Sequence, residues 1–354
     1  MDVYHALKNG IPFEATAHGV IQRPEITDEH RGHPDALAVV RTSGSTGTPK
    51  QTLLTAAGLT SSAEATAQRI GGQGQWLLAV GTQYVAGLAV VSRSVQAGTL
   101  PVTINPGFTP AEFVAGTNQL DHEFTAVSLV PTQMLRLLDD DAAIAALQSF
   151  SAILVGGAAI PERITEAAER YSLNLYRTYG MSETCGGCIY DGLPLPGVTV
   201  DTIQHNGVGR LRITGPMVAA GYFDDPALTA AHFADGAYLT DDYGTVTDGI
   251  VEIHGRLDDV INTGGIKVSA AKIQQVLHRW VPDAFVTGIP DPQWGHRVAA
   301  VVTGDTSEAI LADAVRNALG APAVPKTWLR LETLPMLENG KPDRITLTQW
   351  LIKE

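Results

Sequence analysis

The segment Arg41-Thr-Ser-Gly-Ser-Thr-Gly-Thr-Pro-Lys50 gathers small and hydroxylated residues ahead of a lysine. Such residues let backbone N–H groups close on phosphate oxygens, Ser and Thr hydroxyls add donors, and the ammonium adds a point charge. The chemistry indicated is phosphate binding, carried by Thr42, Ser43, Gly44, Ser45, Thr46, Gly47 and Lys50; the plainer alternative is a polar connection between a strand and a helix. It is not the G-x-x-x-x-G-K-[ST] loop of P-loop NTPases, because Pro49 precedes the lysine and Gln51 follows it. A second cluster, Cys185-Gly-Gly-Cys188, has the spacing of a redox pair or of half a zinc site. No further ligand pair lies nearby, so two small thiols in a glycine-lined wall is the simpler reading. Arg93 stands in an apolar helical run, where a charge is costly unless paired. It either snorkels to water or meets a buried anion.

These groups need a scaffold, and the pattern around them supplies one. Stretches 36–40, 100–104, 124–130 and 151–155 read as strands, with helices over 55–69 and 132–140 and another opening at Pro161. Repeated strand–helix units predict an α/β fold with a mainly parallel sheet layered with helices and ligands at the C-terminal strand ends. Short strands follow at 211–214, 238–240 and 250–254. After Arg256 the style changes to a compact α+β unit: helices over 270–280 and 307–319, strands over 284–289, 298–303 and 327–331. The expected division is a large domain over 1–257 and a small one over 258–354.

The 354 residues carry 24 Lys+Arg against 37 Asp+Glu, a net charge of −13, with no basic cluster, which excludes a nucleic-acid partner. The longest nearly apolar run, 76–91, is broken by Gly81, Gln83 and Gly87 and is too short to span a bilayer, so no stable membrane insertion is expected. The first ten residues lack a basic and an apolar region, so no secretory signal is expected, and two cysteines suit a reducing cytoplasm. A homo-oligomer is compatible with the chain.

The glycine-rich segment resembles the phosphate-binding signature of the adenylate-forming acyl-CoA synthetase superfamily, and four more segments match in order. Tyr179-Gly-Met-Ser-Glu183 resembles the Y-G-x-[ST]-E box, and Thr240-Asp-Asp-Tyr-Gly244 the T-G-D-x-G box, with Asp241 in place of glycine. Gly255-Arg-Leu-Asp-Asp259 with Gly264-Gly265 resembles the hinge and the loop beyond it, and Asn339-Gly-Lys341 with Asp343-Arg344 the C-terminal N-G-K-x-D-R box. The resemblance implies ATP and Mg²⁺ as cofactors, CoA as co-substrate and a small carboxylic acid as substrate. It implies ATP contacts from Gly157, Tyr179, Gly180, Ser182, Asp242 and Arg256, a metal ligand in Glu183, and catalytic roles for Lys341, Glu183 and Arg256. Each has a chemical sense. A carboxylate is the hard ligand that Mg²⁺ prefers. Tyr179 can stack on adenine or simply pack, Asp242 can accept from both ribose hydroxyls, and Arg256 can hold ribose or phosphate or make a surface ion pair. Asp258 matches the hinge about which the family's small domain swings, and Gly264 and Gly265 lie on the CoA side.

Within the superfamily the spacing of Arg93, the 128–133 segment and Gly156-Gly157-Ala158 is similar to that of o-succinylbenzoate–CoA ligases of menaquinone biosynthesis, as is the shortness of the chain before the glycine-rich segment. That resemblance implies an acyl pocket with Tyr84, Arg93, Ser128 and Gly156. Tyr84 stands where many relatives have histidine, and Ser269-Ala-Ala-Lys-Ile-Gln274 replaces the usual P-x-E-I-E, which removes two acids near the CoA side. Two rivals remain. One is another acid–CoA ligase, or a stand-alone enzyme that loads an aryl acid onto a carrier protein. The other is a non-catalytic nucleotide binder, disfavoured because binding alone has no need of Lys341.

Overall fold

In the chain from Gln75 to Met181 each short apolar strand is followed by a helix, and this alternation builds the larger sheet. The computed structural model describes residues 1–42, 50–205, 208–336 and 342–353. Seven strands lie in the order Leu193–Pro194, Gly186–Tyr190, Leu175–Met181, Ala152–Gly156, Thr125–Leu129, Gln75–Leu78 and Val102–Thr103. The last five are parallel, with Ala126 opposite Ala152 and Ile153 opposite Leu175; Gly186–Tyr190 runs antiparallel to both of its neighbours. Alternate residues Leu77, Val127, Leu129, Ile153 and Val155 face helices that contribute Phe113, Met134, Leu137, Ile144, Leu147 and Ile164. Each such buried side chain stabilises by about 1.5–3 kcal/mol, so a one-residue slip of register, which turns a strand's whole apolar set outward, is strongly disfavoured. On the other face, helices Ala56–Ile70 and Val85–Ala97 pack on each other, and Trp76 points their way.

A smaller mixed sheet holds strands Gly221–Tyr222, Lys50–Thr55, Ala36–Thr42, Phe13–Thr16 and Gly19–Gln22, in that order. Here the structure corrects the sequence reading. The glycine-rich segment does not lead from a strand to a helix. It joins two antiparallel strands, with Thr42 directly opposite Lys50, and helix Ala56–Ile70 begins only afterwards, with Thr55 as its N-cap. The strand 50–55 exists because partners on both sides, Ala36–Thr42 and Gly221–Tyr222, take up its backbone groups; its local pattern is too short to announce it.

Thr199–His205, Val208–Thr214, Ala237–Thr247 and Phe233–Ala234 follow one another in a third sheet, with Ile250–Arg256 beside Ala237–Thr247. By packing, the chain forms two units. The first holds Met1–Asp201, Arg212–Leu239 and Thr247–Val251; the second holds Thr202–Leu211, Thr240–Val246 and Glu252–Glu354. Motif order alone suggests a cut between residues 257 and 258, whereas packing adds Glu252–Leu257 and two earlier strand segments to the second unit.

The second unit is an α+β fold. Strands Ile266–Ser269, Val260–Thr263, Gly295–Val302 and Ala284–Asp291 lie in order, with Thr327–Arg330 parallel to Gly295–Val302. Val286, Val298 and Ala300 pack with Ile273, Leu277, Leu311 and Val315, while Phe285, Ala299 and Val301 alternate to the opposite face and meet Leu347 and Leu351 of helix Arg344–Lys353.

Candidate functional site

In the first unit the candidate residues collect at the C-terminal ends of the parallel strands, where an open α/β sheet places its ligands. Gly156 ends its strand directly opposite Thr178, and a Cβ there would meet the Thr178 hydroxyl at 2.2 Å. Gly157 follows with φ +83°, a backbone region that favours glycine. On the next strand Tyr179 is half-buried, and a Cβ on Gly180 would meet the Gly186 carbonyl at 2.0 Å. These two close approaches explain why small residues recur at this edge. The strand then tightens into the 3₁₀ turn Ser182–Thr184, held by the Thr184 hydroxyl, which accepts from the Met181 N–H at 3.0 Å.

That turn sets Glu183, whose side chain is buried at 6 % exposure. Tyr222 donates its hydroxyl to Glu183 Oε1 at 2.8 Å, and the Ala219 N–H donates to the Glu183 carbonyl at 2.9 Å. Lys50, at the start of its strand, lies with Nζ 5.4 Å from the centre of the Tyr222 ring. Burial, the neighbouring Glu183 carboxylate and Tyr238 all push the Tyr222 phenol far above its usual pKa, so it is a donor at any working pH. The structure therefore brings together Lys50, Glu183 and a residue that sequence reasoning missed. Tyr222 lies 39 residues from Glu183, and no spacing rule connects them.

Ser128 is buried at the penultimate position of its strand. Gln133 ties the edge together: its amide donates to the carbonyls of Ala79 at 2.8 Å and Pro106 at 2.9 Å, and its oxygen accepts from the Val130 N–H. Tyr84 is the N-cap residue of helix Val85–Ala97, at the same edge. Arg93 lies on that helix, about 12 Å along its axis from Val85. Snorkelling is ruled out by its position, because Arg93 is only 7 % exposed. Its Nη2 is 3.4 Å from the Tyr190 hydroxyl, the guanidinium lies 4.9 Å from the Trp76 ring, and Nε has no partner. Among the described residues no carboxylate pairs with it. A small cleft beside it is lined by Ala63, Thr66, Ile70, Trp76 and Gln96.

Ser43, Gly44, Ser45, Thr46, Gly47 and Lys341 lie outside the described residues. Cys185 and Cys188 are fully buried free thiols, and burial pushes each pKa up to about 12. Among the described residues no three His, Cys, Asp or Glu side chains come together as a metal cluster. A divalent ion at Glu183 would thus take one carboxylate and complete its shell from phosphate oxygens and water, which is the habit of Mg²⁺.

The second unit holds the other half of the candidates. Arg256 grips Asp258 through two hydrogen bonds, Nε–Oδ1 at 2.8 Å and Nη2–Oδ2 at 3.0 Å, and its Nη1 lies 3.9 Å from Asp242. Partial burial works against the guanidinium charge, but Asp258, Asp242 and Asp241 outweigh it and raise the pKa. Thr240 braces Asp242 within strand Ala237–Thr247, its hydroxyl accepting from the Asp242 N–H at 3.0 Å. Asp241, at the glycine position of the T-G-D-x-G box, pairs with Arg210 at 3.0 Å. Gly264 and Gly265 have φ +60° and +83°, and the Gly264 N–H donates to the Trp294 carbonyl. Arg344 pairs with Asp259, and Ser269 caps helix Ala270–Leu277 by accepting from the Lys272 N–H at 3.2 Å.

Comparison with known proteins gives the family. The AMP-binding enzyme model matches residues 6–223, and the AMP-binding enzyme C-terminal domain matches residues 275–341. A probable 2-succinylbenzoate–CoA ligase of Mycobacterium tuberculosis is 41 % identical over 328 residues, which cover 89 % of this chain and 84 % of that one. The o-succinylbenzoate CoA synthetase of Bacillus subtilis, solved with its acyl-adenylate intermediate, superposes with a TM-score of 0.77 at 26 % identity, over 88 % of this chain and 69 % of that one. The same enzyme with ATP and magnesium ion gives 0.77 at 26 % identity, over 90 % and 70 %. The likeness runs through both units and through the edge that holds Glu183: the chain belongs to the AMP-binding enzyme family.

Proposed function

We propose that the chain ligates o-succinylbenzoate to CoA in two steps in the cytoplasm. The acid's carboxylate attacks the α-phosphorus of ATP, giving the acyl-adenylate and pyrophosphate; the CoA thiol then attacks the acyl carbon and AMP leaves. The observation that carries the substrate assignment is Arg93. A buried guanidinium that faces no carboxylate among the described residues, with Nε unpartnered, is costly unless an incoming anion completes it. An acid whose far end completes Arg93 carries a second charge there, as o-succinylbenzoate does.

The residues divide the remaining work. Gly156, Gly157 and Gly180 keep the strand ends free of side chains, so that backbone N–H groups can approach a nucleotide, with Tyr179 and Ser182 beside them. The 42–50 segment takes the phosphates. Bound at Glu183, Mg²⁺ would supply charge neutralisation on the phosphate oxygens. Asp242 accepts from the ribose hydroxyls while Arg256 balances its charge, and Lys341 donates to the oxygens that gain charge as pyrophosphate leaves. Asp258, Gly264 and Gly265 serve the thiol step.

ATP–pyrophosphate exchange over a panel of carboxylic acids, followed by CoA addition, tests this reading. Exchange is expected with o-succinylbenzoate and only weakly with benzoate-like monoacids; the reverse order of preference overturns the substrate assignment. Lys341→Ala is expected to lower exchange by about 10²–10³-fold, the usual cost of one preorganised donor, while thioester formation from supplied acyl-adenylate is largely kept. Equal loss of both half-reactions in single-turnover assays would refute the role given to Lys341.

A further inference from the structure

The hydrogen bond from Tyr222 satisfies a buried Glu183 oxygen, and neither residue depends on it for its backbone placement. Glu183 is fixed at its backbone by the 3₁₀ turn and by the Ala219 N–H. Tyr222 is fixed by its own strand pairing with Thr52 and by edge-on or tilted packing on Phe233 at 5.3 Å and His232 at 6.3 Å. Both side chains are buried, and the hydroxyl lies 2.8 Å from one carboxylate oxygen only. A donor on Oε1 fixes the rotation of the carboxylate plane and leaves Oε2 to turn toward a ligand. The same ring stands under the Lys50 ammonium, so one side chain touches both the residue that closes the phosphate segment and the carboxylate.

We propose that Tyr222 is a positioning residue for the metal-binding carboxylate: it locks Glu183 in the orientation that presents one oxygen to the divalent ion of the metal–nucleotide substrate. The inference rests on the reading of Glu183 as metal ligand. Partners of this kind typically change metal affinity by about 10–100-fold when removed. The ring supplies the packing and the hydroxyl the orientation, so Tyr222→Phe separates the two.

The test is Mn²⁺ binding to the full chain with a non-hydrolysable ATP analogue, read by the paramagnetic resonance of free Mn²⁺, beside the Mg²⁺ dependence of pyrophosphate exchange. Tyr222→Phe is expected to weaken Mn²⁺ binding at least tenfold and to raise the Mg²⁺ concentration for half-maximal exchange. Rate at saturating Mg²⁺ should be largely recovered. Phe233→Leu, which thins the packing against the Tyr222 ring without touching its hydroxyl, is expected to leave the metal dependence unchanged. A merely structural role would instead lower the maximal rate and the melting temperature together, with no change in metal dependence. Wild-type Mn²⁺ affinity in Tyr222→Phe overturns the proposal even if the ligase reading stands. A chain that binds Mn²⁺ with the analogue but exchanges pyrophosphate with no acid refutes the ligase reading and leaves the proposal to the affinity measurement. Wild-type protein that binds no Mn²⁺ with the analogue overturns both.

Discussion

Cys185 occupies the left-handed region, φ +51°, immediately after the turn that carries Glu183. A non-glycine residue there stores strain of about 1 kcal/mol or more, and the site holds it by burying the thiol and by the Thr184 hydroxyl's bond to the Gly186 carbonyl at 2.7 Å. Cys185 thus shapes the turn, Cys188 lies on the strand that follows, and both thiols are buried. Folded thiols with pKa about 12 keep their protons when unfolded thiols, near 9.0, have lost theirs, so stability is full below pH 9 and declines as pH rises above it. Native protein at pH 8 is expected to react slowly with a maleimide at both cysteines and fully once unfolded; rapid native labelling would contradict the buried placement. What the sequence could show at this scale was chemistry carried by residue type. Asp242 and Arg256 could be singled out from their boxes, and the structure brings them within 3.9 Å of each other. Tyr222 and Arg210 were not, because each finds its partner only through strand pairing between distant segments.

Among the elements, the helices were read best. A helix over 55–69 was expected and Ala56–Ile70 is found, since its apolar spacing and Thr55 cap are local signals. Strand 50–55 and the N-terminal strands Phe13–Thr16 and Gly19–Gln22 escaped, being short and defined by partners rather than by their own pattern. Departures from the family's usual residues also find their reason here. The Ser269-Ala-Ala run lacks the usual acids but gains an N-cap for helix Ala270–Leu277. Ser269→Ala is expected to cost about 1 kcal/mol in urea unfolding, as loss of a capping hydroxyl usually does, without altering pyrophosphate exchange. A change in exchange with unaltered stability would move Ser269 from scaffold to site.

On the scale of the molecule, charge and size tell different stories. A net charge of −13 is no bar to the proposed site for a polyanion, because the cations it would call on are single residues such as Lys50 and Arg256. The distribution of tryptophan adds a practical consequence. Of the five in the chain, Trp280, Trp294, Trp328 and Trp350 belong to the second unit, and only Trp76 to the first. Trp76 is 2 % exposed and lies beneath the Arg93 guanidinium. The contact that buries a cation therefore also makes an optical gauge. With the other four replaced by phenylalanine, the emission of Trp76 should be blue-shifted and shielded from iodide, and it should change in intensity when o-succinylbenzoate draws the guanidinium off the ring. Benzoate, which has no second carboxylate to reach Arg93, should leave the signal where it was, so the ligand's far end can be followed by light before any bond is made.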